Sequence, residues 1–360
     1  MQNFSSAMLV LVIVFCNAAL AQALMLTAPN ANVNSPGSVS SRGVASGGKL
    51  YYSANGELYC TDGTAAGTYC VRDIRLGPAS SMPENITAYN NGVLFTADDG
   101  VYGRELWRSD GTGAGTQLVK DVFANQMISS FISPMVEYNG FVYFTANDGI
   151  KGRELWRTDG TTAGTTVFKE LNPGTGSGAQ SFLAVANGLL FFTGAISTTD
   201  DFELWKSDGT VNGTTQVKDL ISDTNNLVIS ALYGAGPTLY FVLSDNSVIQ
   251  LWKSDGTQAG TVMVGEIADY IDSSISSFTA YNGKLYFIVN DGINGHELWC
   301  SNGTASGTGI IKDINPGSSS GLNSNSALAG AGSSFYLPQQ MELTALNYGL
   351  LTAPQQEPHY

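Results

Sequence analysis

The side chains of this chain that could do chemistry recur at a fixed spacing. Six copies of one pattern occur, and the second of them runs from Glu105 through Leu106, Trp107 and Asp110 to Thr116. Carboxylates can bind cations or move protons, and tryptophan rings can stack on sugars. Because the same groups return in every copy, we expect them to build the fold before they serve any chemistry.

A turn residue precedes the Gly-Thr pair of each copy. We interpret it as the acceptor of an Asx turn, which receives hydrogen bonds from backbone N–H groups two or three residues later. These loops also look like the Asp boxes of sialidase-type propellers, which are structural, although the spacing differs. The six turn residues are Asp62, Asp110, Asp159, Asp208, Asp255 and Asn302.

The acidic residues that precede the repeated glutamate suggest a weak alternative, a calcium site. Both candidate clusters lack the alternating ligand spacing that hard cations favour, so we predict no metal ligands and no other cofactor. The clusters are Asp98 and Asp99 with Glu105, and Asn147 and Asp148 with Glu154.

Catalytic side chains other than acids are scarce. The chain has two histidines, His296 and His359, and the second stands next to the C-terminal residue. This leaves little for a Ser-His-Asp or Cys-His arrangement or for a multi-histidine metal site. We therefore predict no catalytic residues. A pair of carboxylates that cleaves glycosides is the enzymatic alternative, because acids are plentiful.

Five of the copies carry a tryptophan that could stack on a sugar ring if it lined an open pocket. Since these residues stand on strand faces that must pack, we interpret them as core residues and keep ligand stacking as the alternative. The series is Trp107, Trp156, Trp205, Trp252 and Trp299. Lys120, Lys169, Lys218 and Lys312, four residues after each turn, are expected to pair with the repeated glutamates or to face solvent.

The elements that hold these groups follow from the period. Subtracting neighbouring turn positions gives steps of 48, 49, 49, 47 and 47 residues, which predicts one repeated supersecondary unit. Each unit divides into four short strands, with Asn-Gly turns such as Asn139-Gly140, Asn187-Gly188, Asn282-Gly283 and Asn91-Gly92 between the first two strands. No helical periodicity is present.

The second strand of each unit is apolar on both faces, as in Phe141–Phe144. Such strands need a sheet packed on each side. A β-propeller of four-stranded antiparallel blades meets this need, and an open solenoid is the alternative. Residues 44–315 hold six copies. Residues 316–352 resemble part of a seventh unit, which either Met341–Leu351 or the leader at 22–43 would complete. We expect seven blades, with six plus a tail as the alternative.

The N-terminal residues predict export. Ala7–Phe15 is a short apolar run and Ala19–Ala21 fits a cleavage site, so residues 1–21 are interpreted as a signal peptide and the protein as secreted. The run is too short to span a bilayer. We expect the C-terminal residues 353–360 to be disordered.

The charge of the chain limits its partners. A net charge of −14 without any cluster of Lys and Arg disfavours nucleic acid and anionic membranes. An acidic secreted protein suits calcium-rich surroundings, basic partners or mineral surfaces, and the charge also serves simple solubility.

Three cysteines remain after Cys16 leaves with the signal peptide. Cys60 and Cys70 flank the first turn, and we expect a disulfide that contributes about 2 to 3 kcal/mol. Cys300 is either a free thiol or an intermolecular link. In a eukaryotic secretory pathway the sequons predict glycans in turns or at strand starts. The sequon asparagines are Asn85, Asn212 and Asn302.

The six copies resemble the repeat family named after its consensus ELWxxDGT, which occurs mainly in exported and cell-surface proteins. The resemblance covers about residues 44–314 and departs from the consensus at Tyr59, Gln250 and Asn302. It implies a secreted repeat protein of propeller type and supplies no catalytic residues.

From the residues and the resemblance together we expect a non-enzymatic extracellular scaffold or adhesion protein, as part of a matrix or a mineralised structure. Its expected partners are matrix or surface components. A lectin with one weak sugar site per blade is the first alternative, and a carbohydrate-active hydrolase is the second.

Overall fold

The computed structural model describes residues 43–124, 128–197, 201–220, 228–245, 248–269, 273–324, 326, 328–331, 334–339 and 347–352. The expected signal peptide, nearly all of the leader and the C-terminal tail lie outside these residues. Within them the regular elements are β-strands and one 3₁₀ turn at Ala305–Gly307. No helix of the described part is long and apolar enough to cross a membrane.

The described residues form two compact units. The first covers 43–183 and 192–215, and the second covers 184–191 and 216–352. Three sheets lie in the first unit. Their strands are β1 (Val44–Ser46), β2 (Lys49–Ala54), β3 (Glu57–Thr61) and β4 (Tyr69–Arg72); β5 (Glu84–Tyr89), β6 (Gly92–Asp98), β7 (Arg104–Ser109) and β8 (Gln117–Lys120); and β9 (Val136–Tyr138), β10 (Phe141–Asn147), β11 (Arg153–Thr158) and β12 (Thr166–Lys169).

A fourth sheet has residues in both units and consists of β13 (Ala179–Ala186), β14 (Leu189–Gly194), β15 (Glu203–Ser207) and β16 (Thr215–Lys218). The second unit contains two more four-stranded sheets and one of three strands. Their strands are β17 (Val228–Ala235), β18 (Thr238–Ser244), β19 (Val248–Ser254) and β20 (Val262–Asp269); β21 (Ser274–Tyr281), β22 (Lys284–Asn290), β23 (His296–Ser301) and β24 (Thr308–Lys312); and β25 (Ala329–Ala331), β26 (Ser334–Gln339) and β27 (Asn347–Thr352).

Each four-stranded sheet is a meander in which strands adjacent in sequence are also adjacent in space. In the second sheet β6 pairs with β7 so that Phe95 lies opposite Trp107, and a bulge between Leu106 and Trp107 shifts the pairing with β8. The same bulge occurs at the equivalent position of other sheets. The all-β fold of propeller blades with four antiparallel strands is confirmed. The number of blades stays a prediction.

The tight turns follow the sequence with one exception. Asn139 and Gly140 both have positive φ, as do Asn187 with Gly188 and Asn282 with Gly283. In the second sheet the turn is made by Asn90 and Asn91 instead of Asn91 and Gly92. Gly92 begins β6, where a Cβ atom would lie 2.2 Å from the carbonyl oxygen of Ser109. This glycine is therefore required by a close backbone approach and not by a turn.

The core lies between consecutive sheets, as strands apolar on both faces require. Val142, Phe144 and Ala146 of β10 pack with Leu94 and Leu106 of the second sheet. Phe95 and Ala97 point from the same second sheet in the other direction and pack on Tyr51 and Leu58 of the first. A similar cluster joins the fifth and sixth sheets. Each inner strand thus buries both of its faces, and its alternating side chains serve two different cores.

Candidate functional site

Hydrogen bonds inside the turn define the second Asp-Gly-Thr loop. Asp110 Oδ1 accepts hydrogen bonds from the N–H of Thr112 at 2.8 Å and from its hydroxyl at 2.7 Å. The Thr112 hydroxyl accepts a hydrogen bond from the N–H of Gly115, and the Thr116 hydroxyl donates to the Thr112 carbonyl and pairs with Ser109. The loop is therefore a closed network of short-range bonds.

The same bonds occur at every copy. The Thr hydroxyl two residues later lies 2.6 to 2.8 Å from the acceptor oxygen of each turn residue. This bond, with a backbone N–H bond, holds the pKa of Asp62, Asp110, Asp159 and Asp208 below the ordinary range. Asn302 makes the same contacts through its amide oxygen, so the turn needs an acceptor and not a charge.

The repeated glutamate is buried and binds backbone. Glu105 has no exposed surface; its Oε2 accepts a hydrogen bond from the N–H of Val122 at 2.8 Å and its Oε1 accepts one from the N–H of Ser130 at 3.1 Å. Glu154 and Glu297 are equally buried and bind the equivalent connection of their own sheets. The carboxylate thus fixes the chain that leads from one sheet to the next.

Burial changes the acidity of two of these glutamates. It raises the pKa of Glu105 and of Glu154 to about 7, against the opposing effect of the donated N–H bonds. A carboxyl group with such a pKa could act as an acid or base. Both oxygens of Glu105 are occupied by protein donors and none of the side chain is exposed, so a substrate has no access to it.

The candidate calcium clusters use their oxygens internally. Asp98 accepts a hydrogen bond from the N–H of Gly100 and forms an ion pair with Arg75 at 2.8 Å. Asp99 Oδ1 accepts from the N–H groups of Val101 and Tyr102. The described residues contain no group of three His, Cys, Asp or Glu side chains placed to hold a metal ion.

The tryptophans stand between sheets. Trp107 and Trp156 are 5% exposed and Trp205 is 8% exposed, while Trp252 and Trp299 are half-buried. Trp156 stacks on Phe144 of its own sheet at 6.4 Å and belongs to the core shared with the preceding sheet. Three of the five rings therefore present almost no face to a sugar.

The basic residues of the fourth strands have partners that the sequence did not reveal. Lys120 donates to the carbonyl oxygen of Thr165 at 2.7 Å, and Lys218 donates to that of Thr261 at 2.8 Å. Arg72 and Lys169 make the same contact with Thr116 and Thr214. This corrects the expectation that Lys120, Lys169 and Lys218 pair with the repeated glutamates or face solvent, whereas Lys312 is exposed as that expectation allowed. The sequence does carry a sign of these contacts: each cation is followed, 43 to 45 residues later, by the last threonine of the next turn.

The expected disulfide does not form. Cys60 and Cys70 are free thiols, the first buried and the second exposed. A bulge between Leu58 and Tyr59 places Cys60 opposite Tyr69 and Cys70 opposite Tyr59. The two sulfur atoms therefore point to opposite faces of the sheet. Cys300 is a half-buried free thiol.

The sequon asparagines lie in different surroundings. Asn212 and Asn302 are exposed in turns. Asn85 is half-buried in β5 with φ of 52°, and its amide donates to the carbonyl of Ile132 at 3.2 Å. Glycosylation stays a prediction at all three positions.

A cleft of about 370 Å³ lies between the tips of the β17–β18 and β21–β22 hairpins. Its lining includes Pro237, Tyr240, Tyr281, Asn282 and Lys284. A cleft of this size can hold a small ligand, and aromatic, amide and ammonium groups are the kinds of side chain that contact sugars. Sequence reasoning missed it because two hairpins 46 residues apart form it together (β17 begins at Val228 and β21 at Ser274).

Comparison with known proteins finds similar folds only. No family model matches the chain, and no curated protein matches it. A structure of two prolyl endopeptidases is 8% identical, with a TM-score of 0.49 over 70% of this chain and 38% of that chain. BamB from Moraxella catarrhalis is 13% identical, with a TM-score of 0.41 over 72% of this chain and 70% of that chain.

A nidogen/laminin complex is 15% identical, with a TM-score of 0.39 over 69% of this chain and 85% of that chain. This chain spans well under half of the prolyl endopeptidase. At these identities and scores none of the three carries an argument about activity or partners.

Proposed function

We propose that this protein is a secreted, non-enzymatic scaffold or adhesion protein of an extracellular matrix or surface. One observation carries the proposal: the polar groups that recur among the four-stranded sheets are used to hold the fold. Asp110 binds its own turn, Glu105 binds the connection to the next sheet, and Lys120 binds the following turn. A framework of this kind can present variable surface loops on rigid sheets.

The experiment that tests this proposal is a fractionation of the source material with an antibody against the chain. We expect the protein outside cells and enriched in the insoluble extracellular fraction, released by chelators or denaturants. A protein that stays inside cells contradicts the proposal. A screen on chromogenic glycosides and peptide amides adds a second criterion, because turnover by the purified chain would favour a hydrolase.

Glycan binding is the second candidate function, and the cleft beside Tyr281 favours it. A lectin with one sugar site per blade, formed by the tryptophans, loses its basis because Trp107, Trp156 and Trp205 are buried. A single site between the two hairpins is consistent with the structure. A glycan array with the full chain and with Tyr281→Ala tests it: binding that is lost in the variant while the fold is kept supports a lectin.

A further inference from the structure

The first three sheets, all of them in the first unit, expose large apolar side chains mainly at one edge. At this edge β6 turns into β7, β10 turns into β11, and the chain crosses from each sheet to the next. Tyr69 is the one exposed large apolar residue that the described part of these sheets has at the opposite edge. We define the rim patch as six residues of the first edge, each between 39% and 85% exposed: Leu76, Met82, Val101, Tyr102, Phe131 and Ile150.

Contacts between loops bring the members of the rim patch to one surface. The β6–β7 loop packs on the connection from the first sheet, since the Asp98 N–H donates to the Ser81 carbonyl at 2.9 Å and its carboxylate pairs with Arg75 at 2.8 Å. The β10–β11 loop packs on the next connection in the same way, because the Asn147 N–H donates to the Ser130 carbonyl at 2.9 Å. The residues that follow Arg75, Ser81 and Ser130 in the chain are members of the patch.

Two members of the patch have a strained backbone. Met82 and Phe131 have φ of 45° and 53°, a region that bulky side chains rarely adopt. The repeated glutamate accepts the N–H of the residue before each of them, at 3.0 Å and 3.1 Å. The equivalent residue of the next connection is Ala179, which is 1% exposed, so the fold does not require a large apolar side chain at this position. Strain of this kind is concentrated at binding sites.

The loops of the patch also carry carboxylates in fixed positions. Asp99 Oδ1 accepts a hydrogen bond from the N–H of Val101 at 2.8 Å, and Asp148 Oδ1 accepts one from the N–H of Ile150 at 2.9 Å. Asp73 Oδ2 accepts one from the N–H four residues later at 3.3 Å. Each loop therefore presents an aliphatic side chain and a negative charge together.

Three cations of this edge form ion pairs with other acids. The pairs are Arg75 with Asp98 at 2.8 Å, Arg104 with Glu84 at 3.3 Å and Lys151 with Glu170 at 2.8 Å. A fourth cation, Arg153, is half-buried and donates to two hydroxyl groups. Asp73, Asp99 and Asp148 are not part of these pairs, so the rim patch is apolar and negatively charged at once.

We propose that the rim patch binds a segment of a partner protein in which apolar side chains alternate with Lys or Arg. Exposed apolar surface bordered by charged residues is typical of such interfaces. The partner's apolar side chains cover Val101, Phe131 and Ile150, and its cations pair with the carboxylates beside them. Charge complementarity selects this occupant, because an acidic segment is repelled and a neutral one leaves the carboxylates unpaired. The inference rests on the proposed scaffold function, since it names the kind of partner that the scaffold holds.

The test measures binding of labelled peptides to the purified full chain by fluorescence anisotropy, at an ionic strength of about 0.15 M. The probe is a peptide of about twelve residues in which leucine alternates with lysine, which spans about 40 Å when extended. Serine–lysine and leucine–glutamate peptides of the same length are the comparison probes. We expect the leucine–lysine peptide alone to bind. If it does not bind, or if a comparison probe binds equally well, the proposal is overturned.

Variants of the β6–β7 and β10–β11 loops locate the binding. Val101→Ser with Ile150→Ser removes two aliphatic side chains. Asp99→Asn with Asp148→Asn removes two charges but keeps an oxygen that can accept the loop N–H bonds. Each pair of changes is expected to weaken peptide binding by about tenfold or more.

A matched control tests whether any loss of charge has this effect. Asp110→Asn with Asp159→Asn removes the same charge at the opposite edge, where Asn302 shows that an amide oxygen can hold the turn. This control should bind the peptide like the parent chain. An equal loss of binding in the control overturns the proposal.

The strained residues separate binding from stability. Glycine accepts positive φ, so Met82→Gly with Phe131→Gly should change the melting temperature little while peptide binding weakens by about tenfold or more. A double variant that binds like the parent chain overturns the proposal.

Two further measurements address other occupants of the patch. A parent chain that dimerises in sedimentation, and no longer does so after Val101→Ser with Ile150→Ser, would make the patch an interface between copies and overturn the proposal. A synthetic peptide of residues 22–42 that displaces the leucine–lysine probe would assign the patch to the chain itself and overturn it too. We expect neither result. All these measurements use the purified chain, so they can fail independently of the fractionation that tests the proposed function.

Discussion

The carboxylate of Glu105 accepts a hydrogen bond from the N–H of Val122, 17 residues later, and another from the N–H of Ser130, 25 residues later. The same side chain is 0% exposed and lies on β7 beside the core. This pair of bonds fixes the connection between the second and third sheets. The repeat thus carries a buried carboxylate because a chain crossing between sheets has N–H groups that need acceptors.

Replacing Glu105 by alanine should destabilise the protein strongly. The N–H of Val122 would lose its acceptor in a buried place, at a cost of about 1 to 3 kcal/mol, and the N–H of Ser130 would keep only its 3.3 Å bond to the Arg104 carbonyl. Urea unfolding gives the measurement. Glu84→Ala is the matched control, because the Glu84 side chain is 59% exposed and only forms an ion pair with Arg104 at 3.3 Å. Its effect should stay below about 1 kcal/mol. Equal effects of the two variants would contradict the role given to Glu105.

The stability of the protein should fall as pH rises from about 4.5 to about 7. Burial raises the pKa of Glu105 and Glu154 from 4.5 to about 7, so within this range the folded chain keeps two protons that the unfolded chain loses. Each group can contribute up to about 3 kcal/mol of stability, fully present below pH 4.5 and lost by about pH 7.

Unfolding free energies measured at several pH values test this dependence. The double variant Glu105→Gln with Glu154→Gln removes both titrating groups, and its stability should change less with pH across that range. A slope that is the same in the parent chain and in the double variant shows that these two glutamates do not cause it.

Gly307 in the sixth turn and Gly309 in the following strand β24 should respond differently to alanine. A Cβ at Gly307 would lie 2.1 Å from Asn302 Oδ1, the acceptor that closes the turn, whereas a Cβ at Gly309 meets nothing within 4 Å. Gly307→Ala should therefore lower the melting temperature clearly, by breaking the turn or forcing it open. Gly309→Ala should leave it nearly unchanged or raise it slightly, because alanine restricts the unfolded chain. The prediction fails if Gly307→Ala is tolerated as well as its neighbour.

The thiols of the first sheet should react at different rates. Cys70 is exposed and Cys60 is fully buried, and the bulge keeps them on opposite faces. Iodoacetamide at about pH 8.5, near the ordinary thiol pKa, should label Cys70 in the folded protein and Cys60 only after unfolding. Peptide mapping identifies the labelled residues. A peptide in which Cys60 and Cys70 are disulfide-linked would contradict the structure.

The fold could be derived from the sequence because its determinants are local. Strands such as Phe141–Phe144 are apolar at every residue. Turns such as Asn139-Gly140 need positive φ at both residues, which asparagine and glycine accept more readily than other residues. Because the copies follow one another every 47 to 49 residues, the same four-stranded unit can be predicted for each of them. The Asx bonds of Asp110 span two residues and were equally accessible to sequence reasoning.

Tertiary structure decided the partners that lie far along the chain. The bond from Val122 to Glu105 and the bond from Lys120 to Thr165 join residues 17 and 45 positions apart, and no strand or turn period brings residues at these separations together. The cysteines show the same limit on a smaller scale. An unbroken register that pairs Leu58 with Arg72 would bring Cys60 opposite Cys70, and one bulged residue moves them to opposite faces.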